Sequence, residues 1–256
     1  MGEKSVIIKL DRVTAGYGGK VVLRDVSLQV YRNDFLGIIG PNGGGKTTLI
    51  KVILGLLSTK SGTVDYYDGK GNRTKNLKIG YLPQYTNIDR HFPISVHDVV
   101  LSGLNSQKRF MHPFGKADKE KAEAAISEFG ISDYAEKSIG QLSGGQLQRA
   151  LLARATVSDP DVLILDEPNT YIDQRFQEQL YKMLEKINRN CAIIVVSHDI
   201  GTILQSVQNI ACVNHDLHYH PAEEVTMQKM EKYFGGHIDL IGHYGMPRRI
   251  LKGHDS

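Results

Sequence analysis

Nine consecutive residues, Gly40, Pro41, Asn42, Gly43, Gly44, Gly45, Lys46, Thr47 and Thr48, have the types and spacing needed to hold a polyphosphate. They fit the phosphate-binding loop G-x-x-x-x-G-K-[ST]. Glycines admit positive φ and let backbone N–H groups approach phosphate oxygens with no Cβ in the way. The helix that follows directs its N-terminal dipole at the same anion. Lys46 reaches toward β- and γ-phosphates, and the Thr47 hydroxyl suits Mg²⁺. The chemistry implied is binding of a nucleoside triphosphate.

Further along the chain, Val162–Leu165 is a short apolar run ending in Asp166 and Glu167, and Ala192–Val196 ends in Ser197, His198 and Asp199. A strand-terminal carboxylate is what phosphate-bound Mg²⁺ requires, so Asp166 takes that role, directly or through water. Glu167 is placed to orient or deprotonate an attacking water. His198 at a strand end can touch a γ-phosphate. Gln84, just past the stretch Lys78–Pro83, is a ligand for Mg²⁺ or a holder of water. Tyr17 lies in the glycine-rich turn Ala15–Gly19. Taken alone it is most simply a surface residue; stacking on a purine base is the functional alternative.

A second anion site is encoded at Leu142, Ser143, Gly144, Gly145 and Gln146, which lead into Leu147–Ala155 at helical spacing. Ser143 and Gln146 have capping-box spacing, and two glycines at a helix start leave N–H groups open to a phosphate. One nucleotide's phosphates are already cradled by residues 40–48. The second site therefore fits a nucleotide held by another subunit.

The elements that position these groups follow from periodicity. Residues 5–34 have β character, with Val26, Leu28 and Val30 alternating against Ser27 and Gln29. Phe35–Ile39 reads as the strand entering the phosphate loop and Leu49–Leu57 as the helix leaving it. Ser61–Asn72 reads as strand and turn. Residues 85–160 change character, with helical stretches at Val96–Leu104 and Lys119–Phe129, and form an inserted, mostly helical subdomain. The runs Val162–Leu165 and Ala192–Val196 are apolar on both faces, as suits buried strands of a parallel sheet. Arg175–Asn188 is the crossover helix between them. Pro221–Phe234 is expected as a terminal helix stopped by Gly235 and Gly236, with a basic tail beyond.

Composition narrows the class. Over 256 residues, 41% are hydrophobic and 23% charged, ordinary for a soluble globular chain, and a net charge of +3 gives no argument for nucleic acid. Cys191 and Cys212 are isolated and read as reduced structural thiols. Met1–Ser5 lacks the apolar core of a signal peptide, and no stretch nears the ~20 apolar residues of a spanning helix. Any work at a membrane requires another polypeptide to span it.

The order of phosphate loop, Leu142-Ser-Gly-Gly-Gln146 and Leu163-Ile-Leu-Asp-Glu-Pro168 resembles the nucleotide-binding subunit of ATP-binding-cassette (ABC) transporters. The resemblance covers roughly residues 5–220. It implies an α/β P-loop fold with a RecA-like parallel-sheet core, an N-terminal antiparallel β-subdomain and an inserted α-helical subdomain. The cassette would span 5–235, with the helical insertion at about 85–160 and a tail at 236–256. Tyr17 then corresponds to the family's A-loop, Gln84 to the Q-loop, Asp166 and Glu167 to Walker B, Asp173 to the D-loop and His198 to the H-loop. The resemblance implies ATP and Mg²⁺ as ligands and a homodimer closing on two ATPs. It further implies integral membrane permease subunits, with an extracytoplasmic solute-binding protein as an indirect partner. A peripheral position on the cytoplasmic face of the membrane follows. At Asn169-Thr-Tyr-Ile-Asp173 the chain departs from the family's usual Thr and small residue, while keeping Asp173.

His91–Gly103 and Cys212–Pro221 are similar to the ATPases of zinc, manganese and iron importers. The alternatives are an iron-siderophore or haem importer, or a soluble ABC ATPase of iron–sulfur cluster assembly. His215, His218, His220, His237, His243 and His254 crowd the C-terminal part. Their simpler reading is solvated side chains of a loop and tail; a site for a borderline cation is the alternative. Residues 85–112 are expected to face a membrane partner, with Tyr85, His91, Phe92 and Phe110 as apolar anchors.

Overall fold

The computed structural model describes residues 5–84, 89–105, 113–169, 172–197 and 200–225. These divide into two compact units, one built from the chain up to Thr74 together with residues from Ile194 onward, the other from Lys75–Ile193. Each is best understood separately.

In the first unit, β1 (Val6–Tyr17) and β2 (Lys20–Tyr31) form an antiparallel hairpin around Gly18-Gly19, and β4 (Ser61–Tyr66) pairs antiparallel on the other side of β1. The two strands of the hairpin fill most of the stretch 5–34 read as β. Val26, Leu28 and Val30 are buried while Ser27 and Gln29 are exposed, so the period-2 alternation fixes which face meets the core. β3 (Phe35–Ile39) is buried at every position. It runs parallel to β8 (Asn209–Asn214), which turns back antiparallel into β9 (Asp216–Pro221). Burial of each Leu or Ile in such a strand contributes about 1.5–3 kcal/mol. Gly37 has a reason to be small: a Cβ there would sit 2.8 Å from Ile203 of α6 (Ile200–Ser206). Helix α1 (Lys46–Ile53) leaves the phosphate loop and ends earlier than the Leu57 foreseen.

In the second unit β5 (Ile79–Leu82) and β6 (Val162–Asp166) pair in parallel, and the start of β7 (Ala192–Val196) follows them, Ala192 N–H donating to the Asp161 carbonyl at 3.0 Å. Helices α2 (Val96–Ser102), α3 (Lys116–Glu128) and α4 (Gly144–Thr156) pack on one another. Helix α5 (Gln174–Ile187) buries Phe176, Leu180, Tyr181 and Leu184 along one stripe, the 3.6-residue period of an amphipathic helix. The parallel pairs, the antiparallel hairpin sheet and the helical insertion are those of the expected α/β P-loop fold.

One reading of the C-terminal part changes. Cys212–Pro221, read as a loop, lies within a β-hairpin. Of the terminal helix expected over Pro221–Phe234, Ala222–Glu224 form a 3₁₀ turn, and residues 226–234 lie outside the described residues. The strand signal was obscured by histidines, which are poor markers of either state.

Candidate functional site

The phosphate loop is assembled from backbone against backbone. The β3–β8 register pairs Ile39 with Cys212, so the next pair brings Gly40 to Val213. A Cβ on Gly44 would stand 2.7 Å from the Val213 carbonyl oxygen, and Gly45, at φ +106, would drive one to 2.7 Å from Leu23. Glycine is therefore demanded here by packing and by backbone conformation together. Lys46 is buried, and its Nζ donates to the carbonyl oxygens of Gly40 at 2.8 Å and Pro41 at 3.0 Å. The ammonium is thus carried inside the loop on backbone acceptors, as a buried charge requires. Thr48 is buried and Thr47 exposed.

A support that composition concealed lies behind the loop. The Gly44 carbonyl accepts from the N–H of His215 at 2.8 Å, and the His215 carbonyl accepts from Arg24 N–H at 2.8 Å. His215 Nδ1 lies 3.0 Å from the Val22 carbonyl oxygen. The tip of the β8–β9 hairpin, with His215 at φ +67, is stitched between β2 and the phosphate loop. This histidine, read from sequence as a solvated side chain with a cation site as the alternative, is exposed, and its backbone groups brace the phosphate loop. His218 faces Asp216, 3.4 Å away, on one side of β9. Among the described residues no three His, Cys, Asp or Glu side chains form a metal cluster. His237, His243 and His254 lie outside the described residues, as does His198.

Tyr17 ends β1 with 46% of its surface exposed, and Lys51 Nζ lies 5.4 Å from its ring centroid. A cation over one face of the phenol ring leaves the other for a base.

In the second unit the β5–β6 register pairs Ile79 with Val162 and Leu82 with Leu165, an offset of 83 residues. Carried two residues further, that offset sets Gln84 opposite Glu167. The side chains meet there: Gln84 Nε2 donates to Glu167 Oε2 at 3.0 Å. Asp166 is 4% exposed at the strand end, and Glu167 takes a left-handed φ of +55. Burial, with the Asp166 carboxylate second, pushes the Tyr81 hydroxyl up to about 12. Asp173 caps α5, accepting from Phe176 N–H at 2.8 Å, and Asn169 Nδ2 donates to the Tyr181 hydroxyl at 3.2 Å.

The foreseen capping box exists. Gln146 N–H donates to Ser143 Oγ at 3.3 Å, and Ser143 N–H donates to Gln146 Oε1 at 2.9 Å. Gln146 is therefore occupied in holding its own helix start, which leaves Gly144 and Gly145 N–H at the head of α4 for an anion. Arg90 donates to the carbonyl of Leu142, tying the segment after Gln84 to this helix start. Nearby, a hollow of about 330 Å³ is lined by Pro83, Phe92, Val99, Ile139, Leu151 and Arg154. Phe92 is 59% exposed at its rim. Burial lowers the Arg154 guanidinium from its ordinary value, and its Nε donates to Ser102 Oγ at 3.1 Å. His91 is exposed; Tyr85 and Phe110 lie outside the described residues.

A buried lysine within a glycine loop at the head of a helix, on a strand of a partly parallel sheet, defines a P-loop nucleoside triphosphatase. Residues 23–170 match the ABC transporter family, and the chain belongs to it. It is an ATP-binding, ATP-hydrolysing cassette. The manganese transport system ATP-binding protein MntB of Bacillus subtilis is 39% identical over 237 residues, covering 91% of this chain and 94% of that one. The zinc import ATP-binding protein ZnuC of Photorhabdus laumondii is 32% identical over 252 residues, covering 98% and 89%. Among solved structures, a dimeric bacterial ABC transporter cassette superposes with a TM-score of 0.72 at 25% identity, covering 84% of this chain and 99% of that one.

Proposed function

We propose that this chain is the ATPase of a metal-ion importer, working as a homodimer beneath integral membrane permease subunits. The observation that carries the metal is the near full-length similarity to MntB and ZnuC, which leaves little of either relative unmatched. A peripheral position at the cytoplasmic face of the membrane is consistent with a chain in which no described helix is long and apolar enough to cross one. The hollow beside Phe92, joined through Arg90 to the start of α4, is the surface offered to a cytoplasmic helix of the permease. An extracytoplasmic solute-binding protein would act on the permease and not on this chain.

The oxygen donors suit Mg²⁺: a hydroxyl at Thr47, a carboxylate at Asp166, and the carboxamide oxygen of Gln84, whose nitrogen is already committed to Glu167. Mg²⁺ held by these donors would supply positive charge to offset that of the bound phosphates. Gly43 and Gly45 N–H groups and Lys46 hold the phosphates. Gly44 N–H donates within the loop to the Pro41 carbonyl at 3.1 Å, with Gly40, Pro41 and Asn42 setting the path of the loop and Thr48 continuing it. Tyr17 stacks on the adenine. Glu167 accepts the proton of the attacking water, and its hydrogen bond from Gln84 keeps the carboxylate oriented. His198 contacts the γ-phosphate. Leu142, Ser143, Gly144, Gly145 and Gln146 address the ATP of the partner subunit, and Asp173 lies beside that junction.

The test is uptake. Proteoliposomes containing the permease that co-purifies with this chain are loaded with ATP and offered labelled Mn²⁺, Zn²⁺, Fe²⁺ or haem with the matching binding protein. ATP-dependent accumulation of a free divalent ion, abolished by Lys46→Ala, is the expected result. Accumulation of haem or chelated iron alone would replace the metal-ion reading. If no membrane protein co-purifies, the chain is a soluble ATPase such as one serving iron–sulfur cluster assembly.

A further inference from the structure

Two consecutive residues of α4 grip the two ends of the segment that follows β6. Gln148 is 2% exposed, and its Nε2 donates to the Pro168 carbonyl oxygen at 3.1 Å. Arg149 lays its guanidinium 3.8 Å from the Phe176 ring centroid and reaches the Phe129 carbonyl oxygen at 3.4 Å. Phe176 belongs to the first turn of α5, whose cap is Asp173. One helix thus braces both Glu167-Pro168 and the start of α5.

The backbone at this point has little freedom. The Pro168 ring holds its own φ, and Gln148 holds the direction of its carbonyl and hence its ψ. Immediately before it, Glu167 stands at φ +55, a conformation that a glutamate rarely adopts and that persists only when its surroundings enforce it. Gln84 holds the Glu167 carboxylate, and Gln148 holds the carbonyl of the residue that follows it.

We infer that Gln148 is a positioning residue for Glu167, and that α4 joins the signature Ser143–Gln146 to the general base of the same chain. The inference rests on the reading of Glu167 as the base. On that reading the head of α4 addresses the partner subunit's ATP, while its second turn holds the carbonyl next to the residue that activates water on this chain's own ATP. A shift of α4 on anion binding would move the Pro168 carbonyl with it.

Gln148→Met keeps the length and apolar stem but removes the donor. Expected is a loss in kcat of roughly tenfold to a hundredfold, as small misplacements of a reacting group produce, with the Kd for ATP unchanged. In a Glu167→Gln background, single-turnover hydrolysis should show no further loss from Gln148→Met, since the group being positioned is gone. Equal losses in both backgrounds, or an unchanged kcat, would overturn the inference. Pro168→Ala, which frees φ while keeping Gln148, gives an independent reading should the methionine variant fold poorly. Reduced kcat that vanishes as a separate effect in the Glu167→Gln background supports the proposal, and wild-type kcat opposes it. Wild-type turnover in Glu167→Gln alone would instead remove the reading of Glu167 on which the inference stands.

Discussion

Glu167 and Lys46 have separable roles because their surroundings differ. Gln84 donates to Glu167, so Glu167→Gln keeps an acceptor oxygen for that bond and loses only basicity. Its kcat should fall by at least ~10² with ATP binding retained; steady-state turnover beside equilibrium nucleotide binding checks this. Lys46→Ala removes the charge proposed to meet the phosphates and the donor shared by Gly40 and Pro41, so the triphosphate affinity itself should drop. The two cysteines give a pH prediction. Burial, reinforced for Cys191 by the Asp161 carboxylate, raises the thiols from an ordinary 9.0 to about 12 for Cys191 and about 11 for Cys212. The folded chain keeps protons that the unfolded chain releases near pH 9. Their contribution is whole below that pH and is lost as pH rises toward 11–12. Denaturant midpoints should therefore fall on the alkaline side, less steeply in Cys191→Ala. At pH 8, thiol labelling should be slow until the protein is unfolded.

At the scale of elements, α4 and the segment before it are tied together. Arg90 reaches the Leu142 carbonyl, and Phe92 stands exposed beside the hollow formed with Val99, Ile139 and Leu151. An exposed aromatic side chain on the rim of a depression that mixes apolar walls with Asp89, Ser102 and Arg154 suits a partner helix. Phe92→Ala should weaken association with the permease tenfold or more, the usual cost of losing an aromatic anchor, and leave ATP hydrolysis by the isolated chain unchanged. A cysteine at position 92 should label freely in the isolated chain and be protected in the complex. Equal labelling in both would move the docking surface elsewhere.

At the scale of the whole molecule the prediction concerns two copies. Ser143→Arg deletes the hydroxyl that caps α4 and puts bulk and positive charge where an anion should approach. The lost cap costs about 1 kcal/mol, small beside the 5–15 kcal/mol of a typical domain, so the variant folds. It should bind ATP and fail to hydrolyse it. Mixed with Lys46→Ala, which fails at the phosphate loop, it should recover hydrolysis, because one of the two sites then combines an intact loop with an intact signature. Mixtures that stay inert while subunits demonstrably exchange would contradict shared sites.

How much of this was readable beforehand depends on how far each interaction reaches along the chain. Local chemistry was legible. The phosphate loop, the capping box at Ser143 and Gln146, and the acid pair closing β6 are written in neighbouring residues, because turns, caps and strand ends are set within a few positions. The Gln84–Glu167 contact was implied only as two separate strand ends; an 83-residue offset in strand register brought them together. The role of His215 was not legible at all. Its N–H serves Gly44 and its carbonyl serves Arg24, and backbone groups leave no mark in residue identity. The histidines were read as solvated side chains of a loop, with a cation site as the alternative, while β8–β9 pairing decided which faced where. Gln148 sat inside a recognised helical stretch, and only the approach of that helix to Pro168 showed what its carboxamide holds. Sequence determined the groups available to bind and cleave ATP; tertiary packing decided which of them are held by which, because those bonds span 20 to 193 residues.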